Sequence, residues 1–126
     1  MTQFNKFHYF STSEIFAQNN KTEILEIISN DNICVNMFRL LEILEAIRTL
    51  YFGEPIYITS FYRNPEHNKN AGGVAKSYHL LGAAVDVTCL NNTALLAQLS
   101  DFKGFIKVIH YPKKNYIHIQ LKKPKK

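Results

Sequence analysis

A chain of 126 residues that is 46% hydrophobic suits one domain with one core and is too apolar for wholesale disorder. Fifteen Lys and Arg against ten Asp and Glu leave a formal charge of +5, part of it concentrated in Leu121-Lys122-Lys123-Pro124-Lys125-Lys126. That excess suits nucleic acid, an acidic wall polymer or an anionic membrane surface and selects none of them, although no aromatic interleaving of the basic end argues for base stacking.

Met1–His8 carries no basic stretch followed by an apolar run, so no signal peptide is expected. No segment approaches the roughly 20 apolar residues of a membrane span, so stable membrane insertion is not expected either. Synthesis in the cytoplasm is the corresponding expectation. Cys34 and Cys89 form neither a CxxC site nor a disulfide framework. Buried free thiols are the leading reading of the pair, with a disulfide or an extra ligand as the alternative.

Ser11-Thr12-Ser13-Glu14 has the spacing of a capping box and predicts a short helix through Ala17. A second short helix is expected over Lys21–Ile28, with Ile24, Leu25, Ile27 and Ile28 as its apolar side, followed by a turn at Ser29-Asn30-Asp31-Asn32. The strongest helical period runs from Asn36 to Tyr51: Met37, Leu40, Leu41, Leu44, Ile47 and Leu50 recur on one side, while Glu42, Glu45 and Arg48 lie largely on the other. Glu45 and Arg48 have the spacing of a helix-surface ion pair. Gly53 is the expected terminator.

Pro55–Ser60 reads as a strand that delivers Phe61-Tyr62-Arg63. Asn64–Asn68 turns into a short helix, and Gly72-Gly73 ends it. Gly82–Thr88 reads as a loop entering a strand, with small residues for close backbone approach. Asn92 is the expected cap of a helix over Thr93–Leu99. Phe105–Ile109 and Asn115–Leu121 form a hairpin around Tyr111-Pro112-Lys113-Lys114. Helices early and short strands late predict an α+β fold, N-terminal helices packed on a small, mostly antiparallel sheet. Residues 1–121 are expected to form the single domain, with 122–126 as a basic C-terminal tail.

Two imidazoles and a carboxylate, His79, Asp86 and His118, are a set that holds zinc while leaving a position open. His79 and Asp86 stand seven residues apart across a glycine, which suits a loop ligand followed by a strand ligand. Ile117 and Ile119 alternate with His118 and send it to the opposite face. The plainer alternative is a histidine on the solvated side of an edge strand.

Ser60-Phe61-Tyr62-Arg63, Asn68, Gly72-Gly73, Ser77-Tyr78-His79, Gly82, Ala84 and Asp86 together resemble the M15 family of zinc D-Ala-D-Ala carboxypeptidases and murein endopeptidases, closest to its small single-domain members from bacteria and bacteriophages. Tyr9-Phe10, the long helix and Ile117-His118-Ile119 extend the resemblance over most of the chain. It implies a hedgehog/DD-peptidase-like fold and one Zn2+ held by His79, Asp86 and His118. It also implies attack of zinc-activated water on a peptide bond of peptidoglycan. Arg63 then binds a substrate carboxylate or stabilises developing negative charge, and Ser77 and Tyr78 meet the bound peptide. For Ser77 a loop-capping hydroxyl is the alternative, and for Arg63 a surface ion pair. The protein is expected to act as a monomer, at the cell wall after release, as phage endolysins do.

The pattern departs from the family at the general base. Asn115 stands three residues before His118, where many members carry a carboxylate, and Val108–Pro112 offers none upstream. His110, an imidazole on the strand expected to pair toward His118, is the candidate base. A competing reading keeps the zinc and discards turnover: a peptidoglycan- or protein-binding domain in which the metal contributes folding energy. A nucleic-acid binder accounts for the charge but not for the ligand set.

Overall fold

The structure, a computed structural model, describes residues 4–50 and 53–126. The described residues form five α-helices and four strands, in chain order α1 (Thr12–Ile15), α2 (Lys21–Ile28), α3 (Asp31–Leu50), β1 (Ile56–Ser60), α4 (Pro65–Asn70), β2 (Ala84–Cys89), α5 (Asn92–Leu99), β3 (Ile106–Tyr111) and β4 (Tyr116–Leu121). The strands form one antiparallel sheet of order β1-β2-β4-β3. This is the expected α+β architecture. No described helix is long and apolar enough to cross a membrane.

The sheet has two unlike faces because its strands alternate. Val85, Val87, Ile117 and Ile119 are essentially inaccessible and join Met37, Leu40, Leu41, Leu44 and Ile47 of α3 and Leu95 and Leu99 of α5 in one core. The opposite face carries Asp86 on β2 and, directly across the ladder, His118 on β4. Cys34 and Cys89 are buried free thiols in the same core.

Ser11 and Glu14 close the expected capping box of α1, although the helix ends at Ile15 rather than Ala17, and Asn20 and Glu23 close a second box at α2 that was not expected. Elsewhere the caps differ from expectation. α3 starts at Asp31 rather than Asn36, because the Asn30 side chain accepts the Ile33 N–H at 3.1 Å and turns the supposed loop into a helix start. The expected end of that helix at Tyr51 lies outside the described residues. Asn91, not Asn92, caps α5 by accepting the Ala94 N–H. Asn92 sits inside the helix and joins strand ends instead: its Oδ1 accepts from the Cys89 N–H and its Nδ2 donates to Asn115 Oδ1. Glu45 and Arg48 do not pair with each other among the described residues. Glu45 accepts the main-chain N–H groups of His8 and Tyr9, and Arg48 donates to the Tyr9 carbonyl and lies over the Tyr9 ring, so together they bind the N-terminal segment to α3.

Residues 122–126 run along α3. Lys122 N–H donates to the Phe105 carbonyl, Arg39 to the Lys123 carbonyl, and the Asn36 amide exchanges two hydrogen bonds with the main chain of Lys125. Asn36 is wholly buried and its Nδ2 also donates to the Leu81 carbonyl at 2.9 Å. One side chain therefore joins the basic strap to the turn that carries His79.

Glu23 is the buried polar hub of the N-terminal half. Its Oε2 accepts the Asn64 N–H at 2.9 Å and faces His67 Nδ1 at 2.8 Å, while Oε1 accepts the Asn20 N–H. Burial alone would raise its pKa, but these hydrogen bonds outweigh it and hold the carboxyl below its ordinary 4.5. A depressed folded-state pKa gives stability that is present above the unfolded value and lost as pH falls through the folded one. At neutral pH, Glu23→Gln is expected to cost about 1.5–3 kcal/mol, the range for hydrogen bonds to a charged group. Paired thermal melts should show the gap between variant and wild type shrinking as pH drops below 4.5. A gap that stays constant down to the acid limit would contradict this role.

Candidate metal centre

Three local devices bring the site together. The first is the turn holding His79. Ser77 Oγ accepts the His79 N–H at 3.2 Å and caps a 3-10 turn over Tyr78–Leu81. Gly82 ends it at φ 66°, and a Cβ there would meet Ile33 Cγ2 at 2.9 Å. Only glycine combines that backbone with that closeness to α3.

The second device is a β-bulge. Ile58 pairs with Val87 and faces the core, yet Ser60, two residues on, pairs with Asp86. Thr59 is the extra residue, and its insertion reverses the parity of the strand. Ser60 Oγ then accepts from Arg63 Nε at 3.0 Å.

The third device is the cradle around Arg63. Asn19 donates to the Tyr62 carbonyl, Glu23 accepts the Asn64 N–H, and Arg63 N–H itself donates to the His79 carbonyl. Asn68 Oδ1 receives Arg63 Nη1 at 3.4 Å. A Cβ at position 73 would fall 2.0 Å from that same Oδ1, so Gly73 is the space in which the Asn68 side chain lies.

Asp86 stands at the centre. Its Oδ1 lies 2.8 Å from His118 Nδ1, and its Oδ2 lies 3.3 Å from His79 Nε2 and 3.7 Å from Arg63 Nη2. The three donor atoms of His79, Asp86 and His118 are all within 4.8 Å of one another. Tetrahedral zinc with ligands at about 2.0–2.2 Å needs donor atoms about 3.3 Å apart, so the set is the right size.

The protons also fit. His79 Nδ1 faces the Phe61 carbonyl at 2.6 Å, which can only accept; Nδ1 therefore carries the hydrogen, and Nε2 presents a lone pair. His118 is turned the other way: Nε2 faces Gln120 Oε1 at 2.8 Å, leaving Nδ1 toward Asp86. A neutral ring has one hydrogen while both nitrogens face acceptors, so donating it to Gln120 Oε1 leaves Nδ1 bare. Nδ1 then meets an acceptor-only carboxylate at 2.8 Å, an arrangement that calls for a cation, proton or metal, between them. Burial would raise the Asp86 pKa, but the two imidazoles beside it, His118 first, bring it to about 2. Burial opposes charge on His118, but the bonds to Asp86 and Gln120 raise its pKa.

The other site residues fall as follows. Arg63 is mostly buried beside Asp86. Ser77 is occupied as an acceptor by the His79 N–H. Tyr78 is half-buried and packs against the core. Phe61 lies beneath the site and is almost wholly buried. His110 does not reach the centre: the register pairs Ile109 with His118 and His110 with Ile117. Paired residues share a face, so His110 lies on the side of Ile117, away from the ligands. Asn115 adopts φ 57° at the end of the hairpin loop, and its amide is engaged by Asn92, so it serves the turn.

Gln120 was not visible as a site residue from its type. Its position two residues beyond His118 on an alternating strand is the signal that places it on the same face. Tyr111 and Tyr116, stacked at 4.7 Å and 18° at the hairpin end of that face, follow from the same parity.

No curated protein matches the chain at a significant level. The family model described as Peptidase M15 matches residues 8–120, a stretch that contains the three candidate ligands, the Arg63 cradle and the sheet up to Gln120. By that match, the chain belongs to the M15 peptidase family.

Proposed function

We propose that the protein is a zinc peptidase that hydrolyses an amide bond in the stem peptides of peptidoglycan. The observation that carries this reading is the convergence of His79, Asp86 and His118 with the Arg63 guanidinium at 3.7 Å from the same carboxylate. Zinc bound there supplies a Lewis acid that polarises a carbonyl and acidifies water. The chain supplies the rest. Arg63 is held by Ser60, Asn68 and Asp86, so its remaining N–H groups are fixed in direction before a substrate arrives. A planar fork of that kind suits a peptide carboxylate or a developing oxyanion. The Ser77 hydroxyl keeps its own proton to donate to a bound peptide.

One observation favours a second reading, a zinc-containing wall- or protein-binding domain without turnover. On the metal-facing side of the sheet, Asp86 is the sole carboxylate among the described strand residues. With Asn115 locked in its turn and His110 on the other face, no described strand residue stands ready as a general base.

The two readings separate in one experiment. Purified protein is assayed for zinc and incubated with intact peptidoglycan, and the products are identified by mass. Zinc with cleavage is expected, and zinc without cleavage favours the second reading. His79→Ala should lose both metal and activity. Arg63→Lys should keep the metal and lose about 10²–10³ in turnover, the scale of one misplaced charge-stabilising donor. Loss of zinc in Arg63→Lys would count against the role given to Arg63.

The lysine strap provides an affinity for the acidic wall in this reading. It borders a groove of about 820 Å³ lined by Arg39, Phe102, Phe105 and Lys123. Deleting residues 122–126 would also strip the partners of buried Asn36, so charge is better removed alone. A Lys122→Gln, Lys123→Gln, Lys125→Gln protein should bind sacculi more weakly and with a shallower salt dependence, at unchanged melting temperature. Binding equal to wild type across a salt series would dismiss the strap as a wall contact.

A further inference from the structure

The two histidines of the centre present different nitrogens, and the structure shows why. His79 is oriented by a main-chain carbonyl, that of Phe61, 2.6 Å from Nδ1. Among the described residues no main-chain group partners the His118 ring; its outer nitrogen is held by the Gln120 side chain, 2.8 Å away. Gln120 lies on the same face as His118, opposite Ala84 on β2. The small side chain across the ladder leaves the amide free to reach back to the imidazole.

We propose that Gln120 is the positioning residue of the metal centre: its Oε1 accepts the Nε2 hydrogen of His118 and thereby fixes the tautomer whose Nδ1 faces Asp86. The inference rests on the reading of His79, Asp86 and His118 as a zinc site and adds to it a residue outside the ligand set. The physical basis is the single hydrogen of a neutral imidazole. If that hydrogen sits on Nδ1, it points at Asp86 and blocks the only nitrogen directed into the site. An acceptor at Nε2 keeps it away and holds the ring plane, as outer partners of metal-bound histidines do. An amide does this without charge. Asp86 therefore remains the one anion among the three ligands and Gln120, so the centre with a divalent ion keeps a net positive charge. A carboxylate at 120 would orient the ring equally well and neutralise that charge.

The experiment measures zinc affinity by chelator competition on the full chain, with apo-protein melting temperature as a check on folding. Gln120→Leu is expected to weaken zinc binding about 10- to 100-fold, the usual effect of losing such a partner. Gln120→Glu, which retains an acceptor, is expected to bind zinc at least as tightly as wild type. A Gln120→Leu affinity within about threefold of wild type overturns the proposal, as does equal weakening in both variants. Nitrogen-15 NMR of the His118 ring in zinc-loaded wild type provides a readout that needs no variant. Metal on Nδ1 with the hydrogen on Nε2 is expected, and the reverse assignment overturns the proposal. Absence of zinc binding by wild type would instead overturn the zinc reading of the site, and the role of Gln120 with it.

Discussion

The Asp86 carboxylate is the constraint around which the rest is arranged. It is almost buried, and an isolated buried carboxylate is costly. Here it is met by an imidazole on each oxygen and by a guanidinium at the second. Each of those three groups comes from a different stretch of chain, so satisfying one anion requires the β4 pairing, the 3-10 turn and the bulge in β1 all to be in place. The small residues of the motif serve that requirement. Gly82 lets the His79 turn sit against α3, and Gly73 leaves room for the side chain that steadies Arg63.

Outside this centre lies a second tier of polar contacts drawn from the N-terminal helices and the connection between α1 and α2. Glu23 and Asn19 hold the main chain on either side of Arg63, and Asn36 holds the carbonyl at the end of the His79 turn. The helices therefore do more than cover the sheet. They fix the two loops that the sheet alone would leave free, at points one residue from Arg63 and two from His79.

The grouping of His79, Asp86 and His118 was legible in the sequence because metal chemistry restricts the residue types and because Ile117 and Ile119 declare the parity of His118. Helix α1 and its capping box were equally legible. The failures share a cause. Ser29–Asn32 is uniformly polar, and any of its residues is a competent cap, so composition cannot say where α3 begins. Asn91 and Asn92 are identical in type and differ only in which N–H each one meets. His110 depended on hairpin register, and a slip of one residue exchanges the two faces of a strand. The loop over 112–115, with Asn115 in a left-handed conformation, sets that register at Tyr111 opposite Tyr116. The bulge at Thr59 was hidden for the same reason, since nothing in Ile58-Thr59-Ser60 announces an extra residue.

The two histidine anchors differ in a way that bears on how such a centre can diverge. The acceptor behind His79 belongs to the backbone and survives any side-chain replacement at position 61. The acceptor behind His118 is a side chain and is open to exchange by a single substitution. One half of the site is thus inherited with the fold, while the other half is adjustable. In a metal-bound centre of this kind, drift in metal preference or acidity would have a route through β4 that leaves His79, Asp86 and His118 in place.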